Sequence, residues 1–229
     1  MGQDGALQDA ELESPGSEFL HALLHDLRGP LARVRILCEL LRRRAGNQDP
    51  EVETLVGQVG ASAAAAETAL EGVRRYAEAL DRPYRPTRFD LNAALDSAQA
   101  FLAASIAASG ASIERGSLPS VWGDIVQLSA LFQELISNSL RFPGVDRPVI
   151  RIASLDSDPA HWVVTVTDNG TGIPETAVHR IFRPFGKASP QSGAGMGLAI
   201  CRRIAEVHGG GIGVAPRTEG AEIRLLLPR

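Results

Sequence analysis

The 229-residue chain lacks a long apolar run, a concentrated basic block and any cysteine beyond two, and each shortage removes a class of function. No stretch approaches the roughly 20 consecutive apolar residues that span a bilayer. The N-terminus also lacks the basic start and apolar run of a secretory leader, so the expectation is a cytoplasmic protein without membrane insertion. The net charge is −4, and Arg42-Arg43-Arg44 is the largest basic cluster. Neutralising a phosphate backbone takes a much denser footprint, so no nucleic-acid partner is expected. That triplet reads as the solvated end of a helix, where cations oppose the negative pole of the backbone dipole. Cys38 and Cys201 stand far apart, each in an apolar helical pattern, and read as two reduced small hydrophobes.

What the chain has is periodicity, then punctuation, then mixed patterning. Residues 1–16 are polar and acidic, a composition that buries little apolar surface, and are expected as a flexible tail. Leu20, Leu24, Leu27, Leu31, Val34, Cys38 and Leu41 alternate by four and three. After a break at 46–50, Val52, Val56, Val59, Ala63, Ala66, Leu70, Val73, Ala77 and Leu80 do the same. This predicts two heptad-patterned helices joined by a short turn over 17–82. Two single-seam helices leave apolar surface in water, and pairing two hairpins into a four-helix bundle covers it, so a homodimer through 17–82 is expected.

Pro83 and Pro86 mark a linker at 83–86, and a second domain is expected over 87–229. Asp90 reads as a helix cap before the alanine-rich run 91–109, and Asp124 as the cap of a periodic helix to about Leu140. Short strands are expected at Ile113 and Val121-Trp122, paired strands at 149–153 and 162–167, a helix over 198–207, and strands at 211–215 and 221–227. The whole is an α+β chain: a helical hairpin, then an α/β sandwich with helices on one face of a sheet.

Two glycine-bearing segments, Asp168-Asn169-Gly170-Thr171-Gly172-Ile173 and Gly193-Ala194-Gly195-Met196-Gly197-Leu198, follow an asparagine on a helix, Asn138. All lie downstream of His25-Asp26-Leu27-Arg28-Gly29-Pro30-Leu31. Each segment alone is a common turn; their order is far more specific. In that order the chain, over about 17–229, resembles the core of two-component sensor histidine kinases. The histidine box falls at 25–31, the N box at 134–142, the first glycine box at 168–173, an Ile181-Phe182-Arg183-Pro184-Phe185 segment next, and the second glycine box at 193–198. Met196 and the Arg141-Phe142 ending of the N box lean toward phytochrome-type kinases.

The resemblance implies an ATP-binding fold shared with gyrase and Hsp90, with ATP and Mg2+ as cofactors. It implies that His25 is the phosphoacceptor, with Asp26 as the carboxylate that hydrogen-bonds the other ring nitrogen. Asp168 would select adenine through its exocyclic amine, Gly170 would permit the turn, and Gly172 would let the backbone approach the purine. Gly193, Gly195, Gly197 and Leu198 would offer helix N-terminal donors to phosphate. Asn138 would ligate Mg2+ and Arg141 neutralise phosphate. Residues 174–194 would form a lid, with Phe182 and Phe185 as apolar anchors and Lys187 as a phosphate contact. Ala194 stands where the family usually has Thr.

His21, four residues before His25, shares its helix face, but the intervening Ala22-Leu23-Leu24 lacks the glutamate of a zinc hydrolase motif. His161, His179 and His208 read as structural or surface residues. The leading expectation is a histidine kinase that phosphorylates His25 and passes the group to an aspartate of a response regulator receiver domain. The sensor is expected on another chain or on a segment cut away. Two rivals remain: a histidine phosphotransfer protein with an inactive ATP domain, and a related ATPase using Glu134 to activate water.

Overall fold

The computed structural model describes residues 15–45, 50–188 and 194–229; within the first helix the side chains of residues 15–23, 25, 26, 28, 30, 44 and 45 are outside the described set. The expectations for residues 1–14, for the turn at 46–49, for residues 189–193 of the lid and second glycine box, and for the side chains of Leu20, His21, His25 and Asp26 therefore lie outside the described residues.

The periodic segments form α1 (Pro15–Ala45) and α2 (Pro50–Asp81). Each opens on a proline, whose fixed φ and missing N–H cost nothing in a first helical turn. The two helices pack along Leu24, Cys38 and Ala63, all buried. A Cβ added to Gly60 would lie 3.8 Å from Cys38 Cβ, so the backbones approach closely there, and Arg35 pairs with Glu67 across the hairpin at 3.5 Å. Ala77 is buried too, and Leu31, Val56, Ala66, Leu70 and Val73 are half-buried, whereas Leu27, Val34, Leu41, Val52, Val59 and Leu80 are exposed.

Beyond the linker come β1 (Thr87–Asp90), α3 (Leu91–Phe101), α4 (Ala103–Ser109), β2 (Ser112–Arg115), β3 (Ser120–Gly123) and α5 (Ile125–Arg141). Next are β4 (Val149–Leu155), β5 (His161–Asp168), a short 3-10 turn (Glu175–Ala177), α6 (Gly197–Val207), β6 (Gly211–Ala215) and β7 (Glu222–Pro228). Five strands make one sheet in the order β2-β4-β5-β7-β6, with β2 and β4 parallel and the other pairs antiparallel. β1 and β3 form a separate antiparallel ribbon. The core is one cluster in which Leu91 and Leu95 of α3, Leu128, Leu131 and Phe132 of α5, and Ile200 and Ile204 of α6 meet Ile150, Ile152, Val164 and Leu225 of the sheet.

Capping fixes where the helices start. Asp124 Oδ1 accepts from Val126 N at 2.9 Å and Gln127 N at 3.1 Å, and Asp90 Oδ1 accepts from Asn92 N at 2.9 Å. The alanine-rich run expected as one helix over 91–109 is two. The backbone leaves helical geometry at Leu102 (φ −93°, ψ 8°), bringing Leu102 against the core while Phe101 stays 74% exposed. Alanines propagate a helix but cannot anchor its direction; Leu102 does. Among the described residues no helix is long and apolar enough to cross a membrane. Cys38 and Cys201 are free and buried, as expected.

His208 follows α6 and is only 5% exposed. Its Nδ1 faces Ile204 O at 2.8 Å and its Nε2 accepts from the backbone N–H of Asp124 at 3.0 Å, so the neutral ring is the form that satisfies both. Burial pushes its pKa below the usual 6.5, although the Ile204 carbonyl and Asp124 oppose that shift. Because the unfolded chain binds this proton more readily, the stability His208 contributes is complete above about pH 6.5 and is lost as pH falls through its lower folded value. Urea unfolding across pH 7.5 to 5 should show the wild type losing more stability below pH 6.5 than His208→Gln does; parallel curves would contradict this.

Candidate functional site

Strand β5 ends at Asp168, and the chain around it is built to hold that carboxylate. Its Oδ1 accepts from Gly170 N at 2.9 Å and Ala221 N at 3.0 Å, and its Oδ2 accepts the Ser139 hydroxyl at 2.8 Å. Its own backbone N–H donates to Ala221 O at 2.9 Å. A carboxylate has about four acceptor sites, so one remains for a further donor. Ser139 was not anticipated, although it directly follows Asn138. Ala221 was not anticipated either, because its register beside Asp168 is a long-range property of the sheet.

Glycines bring backbone where side chains cannot go. Gly172 adopts φ +78°, so the left-handed turn sits there. A Cβ on Gly170 would lie 2.3 Å from Phe142 O, so Gly170 serves close approach. The turn-forming role expected of Gly170 thus falls to Gly172. Gly220, unremarked in the sequence, holds φ +65°, and a Cβ there would meet Asp168 O at 1.8 Å. Asn169 braces the preceding loop, accepting from Val149 N at 2.8 Å and donating to Arg147 O at 3.0 Å.

A cavity of about 330 Å³ opens beside Asp168. Helix α5 presents Glu134, Asn138, Ser139 and Arg141 to it; the first glycine segment presents Gly172; the second presents Gly195, Gly197 and Leu198. Helix α6 starts at Gly197 with no side-chain cap on Met196, leaving its first N–H groups to whatever the cavity holds. Gly195 (φ +71°) lies against the segment before it: a Cβ there would be 2.8 Å from Gly186 O. The volume suits a small ligand, and charged, amide, hydroxyl and apolar groups converge on it.

The segment after the first glycine box is held differently from expectation. Ala177 and Ile181 are buried and Phe182 packs on the core, but Phe185 is exposed at φ +60° and anchors nothing. The tight turn that returns the chain at Gly186 projects the Phe185 ring outward; Gly186 N donates to Arg183 O at 2.9 Å. Lys187 is exposed beside Gly195 and does not line the cavity.

Helix α2 reaches the same cavity. Thr68 and Arg75 line it, and Arg75 Nη1 pairs with Glu134 Oε1. The hairpin contribution was not visible in the sequence, where Arg75 is one of two adjacent arginines on a helix patterned for solvent.

Residues 123–229 match the family described as histidine kinase-, DNA gyrase B- and HSP90-like ATPases. The chain is 36% identical over 200 residues to the phytochrome-like protein Cph1 of Synechocystis, covering 85% of this chain and 26% of that protein. It is 32% identical over 225 residues to the sensor histidine kinase GtrS of Pseudomonas aeruginosa, covering 96% and 43%. It thus spans between a quarter and a half of these relatives. Full-length ShkA, solved with AMPPNP, superposes with TM-score 0.64 at 23% identity over 93% of this chain and 46% of that one, a likeness of fold. The catalytic domain of the histidine kinase ThkA gives 0.54 at 27% identity, over 63% and 97%. Residues 123–229 are an ATPase domain of this superfamily, and over most of its length the chain is similar to sensor histidine kinases and to a phytochrome-like protein.

The Gly220 contact yields a direct test. Gly220→Ala should lower the unfolding free energy by at least about 1–2 kcal/mol, the cost of a left-handed backbone for a residue with a Cβ, before any clash with Asp168 is added. Denaturant titration with an unchanged midpoint would contradict the close approach.

Proposed function

We propose that the chain is an ATP-dependent protein histidine kinase that phosphorylates His25 and then passes the phosphoryl group to an aspartate in a response regulator receiver domain. The observation that carries the reading is the single cavity that gathers Asp168, Asn138, Gly172, Gly195 and Gly197, in an ATPase-family domain on a chain whose first helix bears His25.

In this reading the free acceptor site of Asp168 takes a hydrogen bond from the adenine amine, and its three protein donors keep the carboxylate in place. The open N–H groups of α6 and the Arg141 guanidinium take the phosphates. Apart from the Met196 thioether, the described lining side chains with metal-binding atoms offer oxygen, from Thr68, Glu134, Asn138, Ser139, Asp168 and Thr171, with no thiolate or imidazole among them. That donor set fits a hard cation. Mg2+ held by Asn138 and the phosphates would supply charge neutralisation, since this ion takes only one or two protein ligands.

His25 attacks as the neutral imidazole. Its lone pair forms the N–P bond as the bond from γ-phosphorus to the bridging oxygen breaks, and that electron pair leaves with ADP. Asp26 hydrogen-bonds the other ring N–H and takes up the positive charge that develops. Positioning and charge stabilisation dominate such transfers. The exposed apolar seam of the hairpin supports a homodimer through 17–82, since a second copy would cover Leu27, Leu41, Val52 and Val59. The ATPase rival loses support because Glu134, its water-activating base, is already engaged by Arg75.

His25→Ala should abolish acid-labile, base-stable labelling from γ-labelled ATP while nucleotide binding survives. Asp168→Ala should instead weaken ATP binding itself, by the roughly 1.5–3 kcal/mol of a hydrogen bond to a charged acceptor. Persistent labelling in the first variant, or unchanged calorimetric affinity in the second, would reject the assignment.

Gly29, one helical turn after His25, has no side chain to orient a hydrolytic water, and a Cβ built there meets nothing within 4 Å. The unmodified protein should therefore be a weak regulator phosphatase, and Gly29→Asn should hasten decay of a purified phospho-regulator. Strong acceleration by the wild type would count against this.

A further inference from the structure

Thr68, Gly72 and Arg75 of α2 are spaced by four and three residues and so share one helix face. That face is set against the second glycine box. A Cβ on Gly72 would lie 2.8 Å from Met196 Cγ, 3.1 Å from Met196 Cβ and 3.2 Å from Ala194 Cβ. Gly72 and Met196 are both buried, and Tyr76 and Ala79, further along α2, pack on the core of the ATPase domain. The absence of a side chain at Gly72 is what lets the hairpin come this close.

One turn beyond Gly72, Arg75 meets Glu134. The Glu134 side chain is 14% exposed and that of Arg75 45%. The free carboxylate oxygen of Glu134 lies 2.4 Å from the position of a Cβ on Gly197, so the carboxylate is pressed against the first residue of α6. This places a negative charge at the helix end where the proposed function puts the nucleotide phosphates, and like charges at short range in a partly dry site repel strongly. The nearby Asn138 carries no charge to offset it, whereas Arg75 does. A guanidinium has five N–H donors in a planar fork, enough to hold a carboxylate and a phosphate oxygen together.

We propose that Arg75 is a residue of the phosphate site supplied by the helical hairpin: it neutralises Glu134 at the start of α6 and faces the nucleotide phosphates, so that hairpin docking and nucleotide binding strengthen each other. The proposal rests on the cavity being the nucleotide site. By thermodynamic reciprocity, whatever Arg75 adds to nucleotide affinity the nucleotide returns to the docked position of α2.

The test uses the full chain and its variants Arg75→Ala, Arg75→Ala with Glu134→Gln, and Gly72→Leu, each checked by circular dichroism. ATP and adenosine are titrated calorimetrically in magnesium buffer at two salt concentrations, and hydrogen exchange of 66–79 is followed with and without ATP. Arg75→Ala should weaken ATP about tenfold, inside the roughly 5–150-fold span of couplings between sites, while adenosine affinity holds. Replacing Glu134 as well should recover most of the loss, because the uncompensated charge is then gone. Gly72→Leu, which wedges the hairpin away without altering charge, should reproduce the loss. Protection of 66–79 by ATP should vanish in Arg75→Ala and in Gly72→Leu.

Equal or tighter ATP binding by Arg75→Ala would overturn the proposal and make the ion pair a lock that competes with nucleotide. A parallel fall in ATP and adenosine affinity would overturn it as general damage to the cavity. A wild type that binds neither ligand would instead defeat the nucleotide reading itself. Should Gly72→Leu fail to fold, the single and double variants at 75 and 134 still decide the matter.

Discussion

Asp168 is the junction on which the site depends. Its carboxylate ties together a helix, a strand end and a loop, through Ser139 of α5, Gly170 beyond β5 and Ala221 before β7. Holding an anion with three donors costs little, because hydrogen bonds to a charged acceptor are strong and short. The arrangement also explains the crowding of glycines around it. Gly170 and Gly220 are there because two carbonyls, of Phe142 and of Asp168 itself, occupy the space a Cβ would need. The Asp168 carboxylate and the turns around it are therefore held by the same contacts.

A second constraint comes from the hairpin. As an isolated pair, α1 and α2 bury few large side chains, and much of their apolar seam remains in contact with water. The end of α2 solves part of this by lying on the ATPase domain, where Ala77 is almost fully buried and Tyr76 and Ala79 touch the core. The rest of the described seam stays exposed. Packing thus divides the hairpin into a stretch that lies on the ATPase domain and a stretch whose apolar side chains remain in water.

Much of this was legible in the sequence where a local rule was strong. Asp90 and Asp124 announced their helices because capping is a one-residue chemistry, and the strands expected from alternation at 149–153 and 162–167 form, extended to 149–155 and 161–168. Other features were hidden for identifiable reasons. Strand β1 is four residues long and is defined by its pairing with β3, from Thr87 opposite Gly123 to Asp90 opposite Ser120, a partner distant in sequence. The break at Leu102 lies inside an alanine-rich run whose propensity alone argues for continuity. The candidate site divided the same way: Asp168, Asn138 and the glycines stood in recognisable order, whereas Ser139, Gly220 and Arg75 matter only through contacts that tertiary structure creates. Phe185 misled because an aromatic in an apolar segment reads as an anchor, while the turn at Gly186 sends it outward.

The linker gives the hairpin a second hold on the domain. Arg85 N donates to Asp124 Oδ2 at 3.3 Å, the Tyr84 ring meets His208 edge-on at 5.0 Å, and Asp124 caps α5 while its own N–H goes to His208. Arg75, meanwhile, holds α5 more than two turns further along, at Glu134. The incoming chain thus grips one helix like a beam on two bearings. The helix held at these two points is the one that carries Asn138 and Ser139 into the wall of the cavity, so the linker and α2 both bear on the element that shapes the site.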